Sequence, residues 1–120
     1  MYSKIVKEYF ENPINLGIIE DADAIGIIEN KSCSDIIKIY IKVDKNNIIR
    51  DAKFEVKGCP PVIASCCVAT EMIKKMSIKK VKTLTSDEII KGLNGLPKEK
   101  EHCAELVIET LNNAIEKIVV

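Results

Sequence analysis

The sequence predicts an α+β domain, a small three-stranded antiparallel sheet with helices packed mainly on one face. Three observations carry this. Asp35–Val43 and Ile48–Lys57 alternate apolar and polar residues at period two. The turn-prone stretch Asp44-Lys-Asn-Asn47 joins them, which makes an antiparallel hairpin. After Gly58 the apolar period changes from that of a strand to that of a helix. Strands first and helices after them is the order of an α+β fold.

Taken in order, Ser3–Phe10 reads as a short helix, ended by Glu11-Asn-Pro13. Ala24–Glu29 is a short apolar strand, so three consecutive strands form a small meander. In the second strand Ile37, Ile39, Ile41 and Val43 share one face. In the third, Ala52, Phe54 and Val56 face away from Lys53, Glu55 and Lys57, which leaves one wet face on the sheet. Val62, Cys66, Ala69, Ile73 and Met76 predict a helix to about Met76. Ser86-Asp87-Glu88 opens a short helix that stops near Gly92–Gly95. Cys103, Leu106, Val107, Thr110, Leu111, Ala114, Ile115 and Ile118 form the stripe of a final helix.

The 120 residues suffice for one core, so residues 1–120 are read as a single domain. With 47% hydrophobic residues the chain has the apolar surface that a disordered sequence lacks. Eighteen basic residues balance eighteen acidic ones, a balance that points to neither nucleic acid nor an anionic membrane surface as partner. Lys74, Lys75, Lys79, Lys80 and Lys82 cluster, and a solvated face is the ordinary reading of such a run. No apolar run approaches the roughly 20 residues needed to span a bilayer. Lys4, Lys7 and Glu8 interrupt the N-terminal apolar pattern, so no signal peptide is expected. The expectation is a cytoplasmic protein whose thiols stay reduced. Five cysteines, an odd number, then leave metal binding, sulfur chemistry or core packing.

Three of the cysteines fall at element ends, where distant parts of a chain converge. Cys33 lies in a polar loop before the second strand, Cys59 between the third strand and a helix, and Cys103 in the first turns of the last helix. Asp35 shares a strand face with Cys33 by alternation. His102, the only histidine, adjoins Cys103. Three thiolates with a carboxylate or an imidazole make the four ligands of tetrahedral zinc or a [2Fe–2S] cluster. Helix N-termini favour the thiolate, the form that binds metal, at Cys59 and Cys103. A plainer reading stands beside this one. Buried cysteine often acts as a small hydrophobe, and Cys103 also continues an apolar stripe. Cys66 falls on the stripe of its helix and Cys67 on its flank, and both read as structural. A cysteine nucleophile needs a base and an orienting group at hydrogen-bond distance, and His102 beside one cysteine in a helix does not supply that pair, so an enzyme is not expected.

The chain resembles the IscU / NifU N-terminal family of iron–sulfur cluster assembly scaffolds. The stretches that carry the resemblance are Tyr2-Ser3, Glu11-Asn-Pro-Ile-Asn-Leu-Gly17, Cys33-Ser-Asp35, Ile48-Ile-Arg-Asp-Ala-Lys-Phe54, Lys57-Gly-Cys59, Ile63-Ala-Ser65, Ala69-Thr-Glu71 and His102-Cys103. They run in the family's order over almost the whole chain. The spacings, 26 residues from Cys33 to Cys59 and 44 from Cys59 to Cys103, also match. The second lacks the insertion of the zinc-binding SufU-like branch.

The resemblance implies that Cys33, Cys59 and Cys103 hold a [2Fe–2S] cluster, with Asp35 beside it to keep it labile and His102 as an alternative ligand. It implies sulfur from a cysteine desulfurase, iron and electrons from other partners, and delivery to apo iron–sulfur proteins. A zinc-holding persulfide acceptor of the SufU-like type, with Cys103 receiving the sulfur, is the rival that the same residues serve. There are departures. Ser34 replaces the usual glycine and Pro60-Pro61 the usual small residues after Cys59. Leu96-Pro-Lys-Glu-Lys100 is a degenerate form of the segment read by a dedicated chaperone, and Cys66 and Cys67 stand where serines are common.

Overall fold

The computed structural model describes residues 2–31 and 34–118. The three strands are β1 (Ala24–Asn30), β2 (Asp35–Val43) and β3 (Ile49–Lys57), paired antiparallel in the order β1-β2-β3. Gly26, Ile39 and Phe54 lie abreast across the sheet. The face that buries Ala24, Ile37, Ile39, Ile41, Ala52 and Phe54 carries the helices. This is the α+β arrangement that the alternation predicts, with strand ends within a residue of those expected.

The helices are α1 (Lys4–Glu11), α2 (Pro60–Ile73), α3 (Ile78–Val81), α4 (Ser86–Gly92) and α5 (His102–Ile115). Helix α5 lies on β1 and β2, α2 packs on β3 and α5, and α1 and α4 cover α2. Ser3 caps α1 by accepting from the Val6 amide at 3.2 Å, and its hydroxyl donates to the Leu93 carbonyl at 2.6 Å. Helix α4 starts at Ser86, where its acidic turn suggests, on a capping box between Thr85 and Glu88.

Three features differ from the sequence reading. Helix α2 ends at Ile73 rather than near Met76, because Lys75 turns left-handed (φ 73°) and its amide donates to the Ile49 carbonyl. It is also buried around most of its circumference, so Cys67 is core rather than flank. Helix α3 was not expected. Ser77 caps it, and Ile78 and Val81 bury against the rest of the molecule.

The segment after α1 runs along the open edge of β3. The Phe54 amide donates to the Asn15 carbonyl (2.9 Å) and the Gly17 amide to the Phe54 carbonyl (2.8 Å). Asn15, at φ 63°, then clips this strap to α2. Its Nδ2 reaches Thr70 Oγ1 at 3.1 Å and Glu71 Oε1 at 3.2 Å, and its Oδ1 accepts from Lys74 Nζ at 2.7 Å.

Candidate functional site

Strand β2, helix α2 and helix α5 all begin at one end of the sheet, and their first residues meet there. Asp35 is the first residue of β2 and is buried, 8% exposed. Its carboxylate lies against Gly58. A methyl group at that glycine would stand 3.3 Å from Asp35 Cγ and Oδ1, so the absence of a side chain makes the room. Cys59 follows as the N-cap residue of α2, half-buried, with extended backbone. Its side chain makes no capping hydrogen bond, so the thiol is not tied to the helix end. Pro60 and Pro61 occupy the first two helical positions, where a missing N–H costs nothing.

Cys103 is the second residue of α5 and is fully buried. Burial pushes its thiol up to about 12, and the neighbouring Cys59 and Asp35 push the same way, against the opposing Lys100 ammonium. This corrects the expectation that the helix N-terminus holds Cys103 as thiolate. Loss of solvent outweighs a dipole effect of about 1 kcal/mol. His102, half-buried, places its Nε2 3.9 Å from Cys103 Sγ.

Asp35, Cys59, Cys103 and His102 are thus brought to one end of the domain. Among the described residues, no three His, Cys, Asp or Glu side chains stand grouped closely enough to hold a metal ion. Cys33, the remaining expected member, lies outside the described residues. The following residue, Ser34, has φ 58°, the left-handed region in which a glycine sits without strain.

Cys66 and Cys67 are fully buried in α2. Burial, then Cys67 and Cys103, raises the Cys66 thiol well above its ordinary value. Burial also raises Cys67, in part offset by a hydrogen bond from the Ile14 backbone. Sequence reasoning missed Gly58 as the spacer for Asp35 and Lys100 as the cation near Cys103. The glycine directly before Cys59 was the one signal available for the first.

The molecule is therefore an α+β domain with a helix-backed antiparallel meander and two cysteines and a carboxylate gathered at one end. It belongs to the NifU-like N terminal domain family, whose model matches residues 1–119. It is 46% identical over 115 residues to one of the two iron–sulfur cluster assembly scaffold proteins IscU of Archaeoglobus fulgidus, covering 96% of this chain and 74% of that one. Over 116 residues it is 40% identical to the iron–sulfur cluster assembly scaffold protein IscU of Aquifex aeolicus, with the same two coverages. A candidate iron–sulfur cluster assembly scaffold for the SUF system from Fervidobacterium islandicum shares the fold. Its TM-score is 0.77 at 24% identity, over 95% of this chain and 96% of that one. No helix among the described residues is long and apolar enough to cross a membrane.

Proposed function

We propose that this protein is a non-catalytic scaffold on which a labile [2Fe–2S] cluster is assembled and from which it is released. The convergence of Asp35, Cys59 and Cys103 from three separate elements is the observation that carries this reading. Cys33, Cys59 and Cys103 supply thiolates, Asp35 a carboxylate oxygen, and His102 an alternative nitrogen donor. Iron and sulfide are the cargo. The sulfur arrives as persulfide from a cysteine desulfurase, and apo iron–sulfur proteins take the finished cluster.

The chemistry of the donors supports a transient hold. A hard carboxylate among soft thiolates is a weaker partner for iron–sulfur clusters than a fourth cysteine. A Cys103 thiol that is protonated in the free protein gives up a proton when metal binds, which also moderates affinity. The family membership and the scaffold names of the relatives support the class of activity.

The test is anaerobic reconstitution with iron, a desulfurase with cysteine, and reductant, followed by visible spectroscopy and metal and sulfide analysis. Thiolate-to-iron absorption lost in Cys33→Ser, Cys59→Ser or Cys103→Ser, and kept in Cys66→Ser and Cys67→Ser, is the expected result. Tightly held zinc with no cluster under any condition would sink the scaffold reading in favour of a zinc-dependent persulfide acceptor.

A further inference from the structure

The corner at the far end of α2 carries a concentration of positive charge that the cysteine site does not use. The β2–β3 turn and the loop entering α3 are joined there by backbone pairing. Ile48 and Ser77 form a β-bridge, and the Ile78 amide donates to the Asn47 carbonyl at 3.0 Å. This brings Lys45 of the turn to the same corner as Lys75, Lys79, Lys80 and Lys82, all exposed. The ion pairs among the described residues engage Lys4, Lys42 and Lys74, and none of these five. The nearby acids are already occupied. The Asp44 carboxylate accepts from the Asn46 and Ile48 amides within its own turn, and Glu71 is engaged by Asn15 and Lys74.

Five ammonium groups against the one carboxylate of Asp44, on a chain of zero net charge, are a local field, not a reflection of overall composition. The corner is also firmly built. Ile78 and Val81 are buried beneath the lysines, and Ser77 caps their helix. We infer that this corner docks an acidic segment of a partner protein. Nucleic acid fits less well, because no aromatic residue lies in residues 44–50 or 70–85 to stack on bases, and the five cations are lysines rather than the forked guanidinium groups that grip phosphates bidentately. A membrane surface fits less well because the patch lacks an apolar face to insert beside the charges. The 14 residues of α2 separate this corner from Cys59 by about 20 Å at 1.5 Å per residue, so a partner bound here leaves the cysteine end open.

The test uses the full chain and a fluorescein-labelled deca-glutamate peptide, followed by anisotropy at low and at 0.3 M salt. Binding at low salt should weaken at least tenfold in K75E/K79E/K80E/K82E. It should persist within twofold in K4E/K7E/K91E/K98E, which makes the same charge change elsewhere. Circular dichroism and the matching four-site Lys→Gln variant separate lost charge from lost fold. No measurable binding, or equal loss in both Glu variants, would overturn the inference. Tighter binding of duplex DNA or of phosphatidylserine vesicles, lost in the same variant, would reject an acidic protein as the occupant.

Discussion

Gly58 stands directly against Asp35. A Cβ at Gly58 would lie 3.3 Å from the Cγ and Oδ1 of Asp35 and 3.3 Å from Val62 Cβ, tighter than ordinary contact on two sides. The residue before Cys59 therefore sets where the carboxylate of β2 can rest, and the two strands that deliver these groups are registered neighbours.

Gly58→Ala should separate stability from site geometry. Gly58 is not in the left-handed region, so alanine can adopt its backbone and restricts the unfolded chain, a gain of about 0.4–1 kcal/mol. Crowding of Asp35 and Val62 costs about as much. The melting temperature should move by only a few degrees. Iron affinity in an anaerobic titration should nevertheless fall at least threefold, because Asp35 has been displaced. An unchanged affinity would remove Asp35 from the proposed ligand set.

Strands β2 and β3 were legible because each has one wet face, so its alternation marks its ends, whereas β1 was legible only as a short apolar run, since its outer face carries Ile25 and Ile27. Helix α2 was less so. Its surroundings, sheet on one side and α1, α4 and α5 around it, bury nearly every position, and a single-stripe reading cannot represent that. The signal was compositional, since Pro60–Thr70 contains no charged residue. The strap at Asn15–Gly17 pairs through two residues, too few for any period to register. At the site, the convergence of element ends could be read from the chain, and so could the place of Cys103 on the apolar stripe of its helix, whereas the balance between that burial and the helix N-terminus is a property of packing. That burial reversed the expectation drawn from its helix N-terminus.

The Asn15 clip can be taken apart by two substitutions. Both Asn15→Gly and Asn15→Ala lose the hydrogen bonds to Thr70, Glu71 and Lys74, at about 1 kcal/mol. Alanine also pays for the left-handed backbone, about 1 kcal/mol more. Urea unfolding should rank wild type above Asn15→Gly above Asn15→Ala. The hydrogen bond from Asn15 is the largest cause holding the Glu71 carboxyl below its ordinary value, with Lys74 adding to it. A carboxyl lowered on folding stabilises the protein above its unfolded pKa and ceases to do so as pH falls through its folded one. The advantage of wild type over Asn15→Gly should therefore narrow below about pH 4. A gap independent of pH would show that Glu71 contributes nothing through this clip.

Native-state alkylation should distinguish the cysteines by accessibility. Cys59 is half-buried, whereas Cys66, Cys67 and Cys103 are fully buried. Burial raises all three of these thiols, which leaves little thiolate at neutral pH. In a Cys33→Ser background, iodoacetamide should modify Cys59 at least tenfold faster than the other three, as read by peptide mass spectrometry. Cys103 reacting as fast as Cys59 would mean that the α5 end opens in solution and that its thiol is available to a persulfide donor without metal.

Gly26 poses the opposite case to Gly58, because what it faces is backbone. A Cβ there would lie 2.2 Å from the Thr110 carbonyl oxygen and 2.9 Å from both the amide nitrogen and the Cβ of Ala114. Helix α5 can rest on β1 only because that position has no side chain. The same contact lets Asn113 Oδ1 accept from the Ile27 amide and Lys117 Nζ donate to the Ile25 carbonyl, which occupies backbone groups along the strand's outer edge. Gly26→Ala should therefore cost about 3 kcal/mol, at the upper end of ordinary overpacking. Ala114→Gly in the same chain should recover only a small part of that loss, because it removes the Cβ contact and leaves the carbonyl and amide where they were. Equilibrium unfolding of the single and double variants decides it. A loss under about 1 kcal/mol for the single variant, or full rescue by the double, would mean that α5 can shift off β1 as a unit. In that event Cys103, carried on the same helix, would not have a fixed position relative to Cys59.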